Sequence, residues 1–416
     1  MELQHGLDLK NGPLSWLDTL PSPPTYPQLE EDIVCDVLVI GGGEAGSLCA
    51  YHLAEQQVDT VIVDRRRFGF GSTSANTGLL QFANDKELTA CINTFGEEKG
   101  VRFYKLCQNA VSEIGKLCNK LKIFPDYVSR DSLYYATSIE DVPSLQKEYL
   151  TLKKHGFPVR YMKEEEIREK YSFSKPAAIF ATGDADINPY KFANSLIYSA
   201  VDFGLRAYQE TEIVSRETEK DHVVLYTKNR KRIKARKVIF ATGYETQIQL
   251  QNNANAVLSS SYAIVTQPIE EFTGWPDRCL IWETARPYLY IRTSVDNRII
   301  AGGFDEPMVQ AEQRDARLIH KRDLLVQAVQ ELFPSIPNLR ADYYWSATFG
   351  GTHDGYPLIG EQPEYPHCYF ALGYGGNGTV YSMIAAQIIT SLITQGTHQD
   401  ADLFRFNRAP YQTSNR

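Results

Sequence analysis

The chain has 416 residues, enough for two or three domains, and its 43 Lys and Arg against 51 Asp and Glu leave a formal charge of -8. That balance excludes a general nucleic-acid binder, which needs a basic face to displace counterions. With 43% apolar and 23% charged residues, the chain is neither disordered nor collagen-like and can bury a large core.

Residues 1–31 read as an extended arm, because Pro21, Pro23, Pro24 and Pro27 forbid helix. The apolar run at 35–40 (CDVLVI) has the pattern of a strand buried on both faces. A helix is predicted over 44–56 and a second buried strand over 59–64, completing a β-α-β unit. An amphipathic helix follows at 97–121, with Phe103, Leu106, Ala110, Ile114 and Leu117 at helical spacing. Residues 130–180 mix a strand (SLYYAT), a charged helix and the run KEEEIREKY, a solvated helix face. A helix at 191–204 leads into strands ending at 237–243 (KVIFATG), and 260–304 read as antiparallel strands. Helices at 314–333 and 379–394 complete the chain. A nucleotide-type unit, sheet-rich insertions and a return to glycine loops describe two interleaved domains of α/β class.

Seven cysteines, Cys35, Cys49, Cys91, Cys107, Cys118, Cys279 and Cys368, include no C-x-x-C pair and read as free thiols in a reduced compartment. The N-terminus lacks the basic-then-apolar pattern of a signal peptide, and no run reaches the roughly 18 apolar residues of a membrane span. A soluble cytoplasmic protein is expected. The eight histidines show no H-x-x-x-H spacing, so no catalytic metal is expected.

Gly41-Gly42-Gly43-Glu44-Ala45-Gly46 is a G-x-G-x-x-G with a strand before it and a helix after it. Gly41 makes the tight turn, Gly43 admits a pyrophosphate to the backbone, and Gly46 lets the helix pack on the strand. The start of that helix offers unpaired N–H groups to phosphate. Asp64 ends the next strand about 20 residues on, where an acid binds ribose hydroxyls. Arg65, Arg66 and Arg67 would suit a 2′-phosphate, but Asp64 would repel it. Three further bends favour FAD: Gly71 to Gly78 (GSTSANTG), Ala241-Thr242-Gly243, and Gly373 to Gly378 (GYGGNG). Together they suit one long cofactor held by several backbone contacts.

These residues, with GDADINPYKFANSL, PYLYIRTSVDNRIIAGG and WSATFGGTHDGYPLIG, resemble in order the D-amino-acid oxidase-like superfamily of FAD-dependent oxidoreductases. That superfamily includes glycine, sarcosine and γ-glutamylputrescine oxidases. The resemblance implies a Rossmann-like FAD-binding domain (32–122, 184–255 and 341–416) interleaved with a mixed-sheet substrate domain (123–183 and 256–340) that roofs the flavin. It implies cofactor contacts from Gly41, Gly43, Glu44, Ala45, Gly46, Asp64, Arg65, Ser72, Thr73, Ser74, Val214, Thr242, Gly243, Gly375, Gly376, Asn377, Gly378 and Thr379. Amino-acid-oxidising members carry an arginine for the substrate carboxylate in W-x-G-x-R-P-x-T-P-D-G, where this chain has Phe349. Phe cannot form the bidentate pair. The W-x-x-T-F-G form looks more like the γ-glutamylputrescine oxidase branch, which implies an amine substrate. No cysteine lies in 345–360, so FAD is expected to be noncovalent.

Tyr288, Tyr290 and Arg292 alternate along one strand and share a face. If that face looks at the flavin, the tyrosines wall an amine pocket and Arg292 holds an anionic group; otherwise they belong to a half-exposed sheet face. His353 is placed to bond the flavin or act as a base, or simply to satisfy a turn. The expected activity is hydride transfer from a carbon beside nitrogen to flavin, with O2 or another acceptor reoxidising it. The alternatives are an FAD enzyme acting on a C–OH carbon and a non-catalytic flavin-binding protein.

Overall fold

The structure is a computed structural model that describes residues 8–246, 256–308 and 310–408. The β-α-β unit forms as its apolar runs dictate. Ile33–Ile40 pairs in parallel with Thr60–Val63 on one side and Arg232–Phe240 on the other. Successive residues of Ile33–Ile40 feed opposite cores: Val37 and Val39 join the helices Glu44–Glu55, Glu97–Cys118 and Gly378–Gln395, while Leu38 and Ile40 join the other face. The full sheet has eight strands, in the order Leu358–Glu361, Cys368–Leu372, Arg232–Phe240, Ile33–Ile40, Thr60–Val63, Arg206–Tyr208. The strands Ile213–Thr218 and Val223–Thr227 add to it beside Arg232–Phe240.

The second sheet has ten strands and is mixed. Its centre runs Ala341–Thr352, Ala256–Thr266, Ile299–Glu306, Leu289–Thr293, Leu280–Glu283, Val128–Tyr135, Ala177–Asp186. Only Leu280–Glu283 with Val128–Tyr135 is a parallel pair. The helix Leu318–Leu332 packs on this sheet through Leu325, Val329 and Leu332.

Three sequence expectations change in detail. Ala341–Thr352 pairs with Ala256–Thr266 from Ala341↔Thr266 to Thr352↔Ala256, so 341–352 belongs to the roofing sheet and not to the nucleotide-type sheet. The expected helix at 314–333 divides at Arg317 into Ala311–Ala316 and Leu318–Leu332. The arm is extended only in part: Lys10 pairs with Ala347, and Ser15–Thr19 forms a 3-10 turn that buries Trp16. Leu88–Phe95 is a helix that the sequence reading did not anticipate. Among the described residues no helix is long and apolar enough to cross a membrane.

Candidate active site

One long cleft lies between the two sheets, and the glycine-rich bends converge on it. Its wall includes Gly41, Gly43, Glu44, Ala45, Asp64, Arg65, Ser72, Thr73, Thr242, Gly243, Gly375, Gly376, Asn377 and Gly378. Gly41 takes φ +105, and a Cβ there would meet the Ala241 carbonyl, so the bend requires glycine. Gly43 is the N-cap of Glu44–Glu55 and provides no side-chain cap, and a Cβ on it would meet only Thr73 Oγ1 at 2.9 Å. Thr73 Oγ1 accepts from the Glu44 N–H at 3.1 Å, and the rest of the helix start faces the cleft with no cap from Gly43, which fits the phosphates of a dinucleotide. Gly46 is not on the wall. A Cβ there would run into the Gly41 carbonyl, so this glycine serves helix–strand packing.

Asp64 is fixed at the end of its strand by two backbone donors. Gly42 N–H reaches Oδ2 at 2.7 Å and Arg66 N–H reaches Oδ1 at 2.7 Å. Burial raises its pKa, and those two bonds oppose the rise. Arg65 and Arg66 both pair with Glu245, at 2.5 and 2.8 Å, so neither guanidinium is a free phosphate clamp.

Glu44 ties three of the bends together. Its Oε1 accepts from Thr379 Oγ1 at 2.7 Å and its Oε2 from Asn76 Nδ2 at 2.8 Å. Thr379 lies behind the wall in this knot, and burial pushes the Glu44 carboxyl up to about 7. Because the folded pKa exceeds the unfolded one, folding is unpenalised below about pH 4.5. The penalty grows to about 3 kcal/mol as pH rises through 7. Glu44→Gln should therefore stabilise flavin-free protein against urea at pH 8 and lose that advantage at pH 5.

Two other expected contacts are placed elsewhere. Ser74 turns its hydroxyl to the Gly71 carbonyl at 2.9 Å and to Lys10, away from the cleft. Val214 does not reach the wall; its strand neighbour Ile213 does, because side chains alternate. Asn377 reaches the wall, but its amide is spent on the carbonyls of Gln81 and Ala83 at 2.6 and 3.1 Å.

The roofing sheet supplies Ser261, Trp282, Tyr288, Tyr290, Asp305 and Phe349 to the far part of the cleft. Tyr288 and Tyr290 stand 5.9 Å apart, centroid to centroid, as the shared face predicts. Arg292 does not join them. It is 2% exposed, with Nε donating to Thr77 O at 2.7 Å and Nη2 to Ile187 O at 2.8 Å. Its Nη1 sits 2.9 Å from Asp186 Oδ1, an ion pair without hydrogen-bond alignment, and Trp16 of the arm covers it. The correction is physical: Arg292 shares the tyrosines' face but lies beyond the Thr77 wall. His353 is exposed in the turn after Ala341–Thr352. It lines a depression at the mouth that shares Asp85, Phe349, Gly375 and Gly376 with the cleft.

The sequence reading missed the carboxylates. Asp85 Oδ2 accepts from Gly376 N–H at 3.1 Å and lies beside the Tyr288 hydroxyl. Asp305 is next to last in the strand Ile299–Glu306, and burial pushes it up to about 6, with a Ser261 hydrogen bond opposing and the Asp85 charge adding. Nothing periodic marks either residue. Three buried polar atoms on this wall, Gln81 Nε2, Trp282 Nε1 and Asp305 Oδ1, have no hydrogen-bond partner among the described residues. Buried polar groups are ordinarily paired, so these fit a wall completed by a ligand.

The model of the family described as FAD dependent oxidoreductase matches residues 36–392. The chain belongs to this family, and its cofactor is FAD. It is 22% identical over 390 residues to the gamma-glutamylputrescine oxidoreductase of Escherichia coli (strain K12), covering 91% of this chain and 88% of that one. It is 24% identical over 405 residues to a protein of Bacillus subtilis (strain 168) named as the Rieske 2Fe-2S iron-sulfur protein YhfW, covering 96% of this chain and 76% of that one. The fold resembles the crystal structure of glycine oxidase from Geobacillus kaustophilus, with TM-score 0.76, 20% identity, and 90% and 99% of the two chains covered.

Proposed function

We propose that this family member oxidises a C–N bond of an amine, with FAD held noncovalently along the cleft. The observation that carries the reading is the convergence of the 41–46, 71–78, 241–243 and 373–378 bends beneath a roof of Tyr288, Tyr290, Trp282 and Phe349. In this reading Gly43 and the start of Glu44–Glu55 receive the pyrophosphate, and Asp64 receives ribose hydroxyls. The bends at 71–78 and 373–378 hold the ring end. Bound FAD supplies a two-electron acceptor for hydride from the carbon beside nitrogen. The protein's part is position: the aromatic roof excludes water and presses a flat pocket around the reacting carbon. The imine left behind takes up water and releases its nitrogen. Dioxygen or another acceptor then takes the electrons.

The relatives' printed names support this, since one is an amine-type oxidoreductase and the fold neighbour oxidises glycine. No cysteine or histidine lines the described cleft, which supports noncovalent attachment. The test is an anaerobic titration of the yellow protein with primary and secondary amines and, separately, with hydroxy acids. Amines should bleach the flavin and hydroxy acids should not; acid precipitation should leave all the yellow colour in the supernatant. Bleaching by hydroxy acids alone would replace the reading with C–OH oxidation. Reduction by dithionite but by no amine would leave a flavin-binding protein.

A further inference from the structure

The N-terminal arm runs along the outside of the cleft and touches the elements that line it at both ends. At the roofed end, Lys10 and Asn11 pair with Ala347 and Ser346 of Ala341–Thr352, and the Thr348 N–H donates to the Leu9 carbonyl at 2.7 Å. Leu9 itself stands on the cleft wall, as do Ala347 and Thr348. From there the arm grips the 71–78 bend. Lys10 Nζ donates to the Phe70 carbonyl at 2.6 Å and to Ser74 Oγ, and Trp16 Nε1 donates to the Asn76 carbonyl at 2.7 Å. At the Asp64 end, Tyr26 packs edge-on against Phe68, with ring centroids 5.3 Å apart. Phe68 fills the space over Gly42 in the first glycine turn, where a Cβ would run into its ring. The Leu29 N–H donates to Thr211 Oγ1 at 3.1 Å, and the Thr211 N–H donates to the Asp64 carbonyl at 2.8 Å.

The 71–78 bend shows what that grip does. A loop that offers N–H groups to an oxygen-rich ligand works only with its carbonyls drawn aside. Here they are drawn aside one after another. Lys10 takes Phe70 O, Ser74 Oγ takes Gly71 O at 2.9 Å, and Trp345 Nε1 takes Ala75 O at 3.0 Å. Trp16 takes Asn76 O, and Arg292 takes Thr77 O. None of these five donors lines the cleft, whereas Gly71, Ser72, Thr73, Ala75, Asn76 and Thr77 all do. Two of the five donors belong to the arm. Trp16 is 4% exposed and packs with Tyr190, Ile300 and Trp345, so its indole is a core side chain and not a loose tail. A bend shaped by outside donors relaxes when they leave. By linkage, a ligand that binds the bend only in that shape holds the donors in place.

We infer that the arm is a working part of the FAD site: Lys10 and Trp16 are positioning residues that hold the 71–78 bend in its cofactor-binding shape, and arm docking and FAD binding strengthen one another. The inference needs only the cofactor and holds whichever bond the flavin oxidises. The experiment has two parts, both at pH 7. Lys10→Met and Trp16→Phe keep much of the volume and remove the donor. Each should weaken FAD binding by about 10-fold, within the usual span of coupling between sites, read by flavin fluorescence on reconstitution at a temperature where the FAD-free form is folded. Lys10→Arg keeps a charged donor and should lose less than Lys10→Met. In the parent protein, trypsin cleavage after Lys10, followed by the mass of the product that begins at Asn11, should slow by at least about 10-fold when FAD is added. A merely structural arm would lower the melting temperature of the FAD-free variants and leave their FAD affinity in place. FAD affinity within about 2-fold of the parent's in both variants, or cleavage after Lys10 at one rate with and without FAD, would overturn the inference. If Trp16→Phe does not fold, Lys10→Met and the protease comparison decide it.

Discussion

Gly43→Leu should yield folded, colourless protein. The residue has φ -83 and ψ -170, extended geometry that any side chain adopts, so the backbone is not strained by the change. A Cβ there meets only Thr73 Oγ1, at 2.9 Å, a side-chain atom that can turn away at the loss of the bond it accepts from the Glu44 N–H. The branched carbons beyond it would extend into the cleft that Gly43 lines, above the helix start. They would occupy the space a pyrophosphate needs to reach the backbone N–H groups. Losing that approach should cost about 3 kcal/mol of binding, or about 100-fold in FAD affinity. The ratio of flavin to protein absorbance after reconstitution measures it, and the flavin-free form should lose no more stability than that one hydrogen bond is worth, about 1 kcal/mol. Gly46→Val is the contrasting case. Its Cβ would enter the Gly41 carbonyl, which is backbone inside the β-α-β unit, so that variant should lose the fold along with the flavin.

The contrast shows what the sequence could carry. The bends were legible because each needs a residue type for a local reason: a left-handed φ at Gly41 and Gly375, an unobstructed helix start at Gly43, a contact too close for a side chain at Gly46. The β-α-β unit was legible for a similar reason, since strands buried on both faces read as unbroken apolar runs. Depth was not legible. Alternation puts Tyr288, Tyr290 and Arg292 on one face but says nothing of how far along the strand the cleft ends, and it ends at Thr77. Nor were Asp85 and Asp305 legible. They come from a loop and a strand end distant in sequence, and only the pairing of Tyr290 with Gly302 brings the second near the first's neighbour Tyr288. The sheet that 341–352 joins was not legible either, although the sequence grouped these residues with the FAD-binding domain. A strand's partner depends on Ala256–Thr266, which no local pattern in 341–352 reports.

Arg292→Met should destabilise the fold by about 3 kcal/mol, in the range measured for breaking buried ion pairs. Asp186 is 1% exposed and bridges two guanidinium groups, with Arg130 Nε at 2.7 Å from Oδ2 and Arg292 Nη1 at 2.9 Å from Oδ1. Methionine fills much of the volume but withdraws one of those charges and leaves the Thr77 and Ile187 carbonyls without their donors. Arg130 still answers Asp186, which keeps the loss below that of a fully orphaned acid. The pair joins two strands of the roofing sheet, and the Arg292 bond to the Thr77 carbonyl joins that sheet to the 71–78 bend, so losing the arginine should also loosen the flavin's ring end. Urea denaturation measures the stability. A double change to Arg292→Met with Asp186→Asn should recover part of it, because the buried negative charge is gone. The outcome separates two roles for the arginine. An anchor for a substrate anion would raise KM for carboxylate-bearing amines by more than about 10-fold, since each tenfold is about 1.4 kcal/mol, and would leave the urea midpoint in place. A structural strut shifts the midpoint and changes KM alike for charged and uncharged amines, and the geometry around Thr77 makes the strut the expected result.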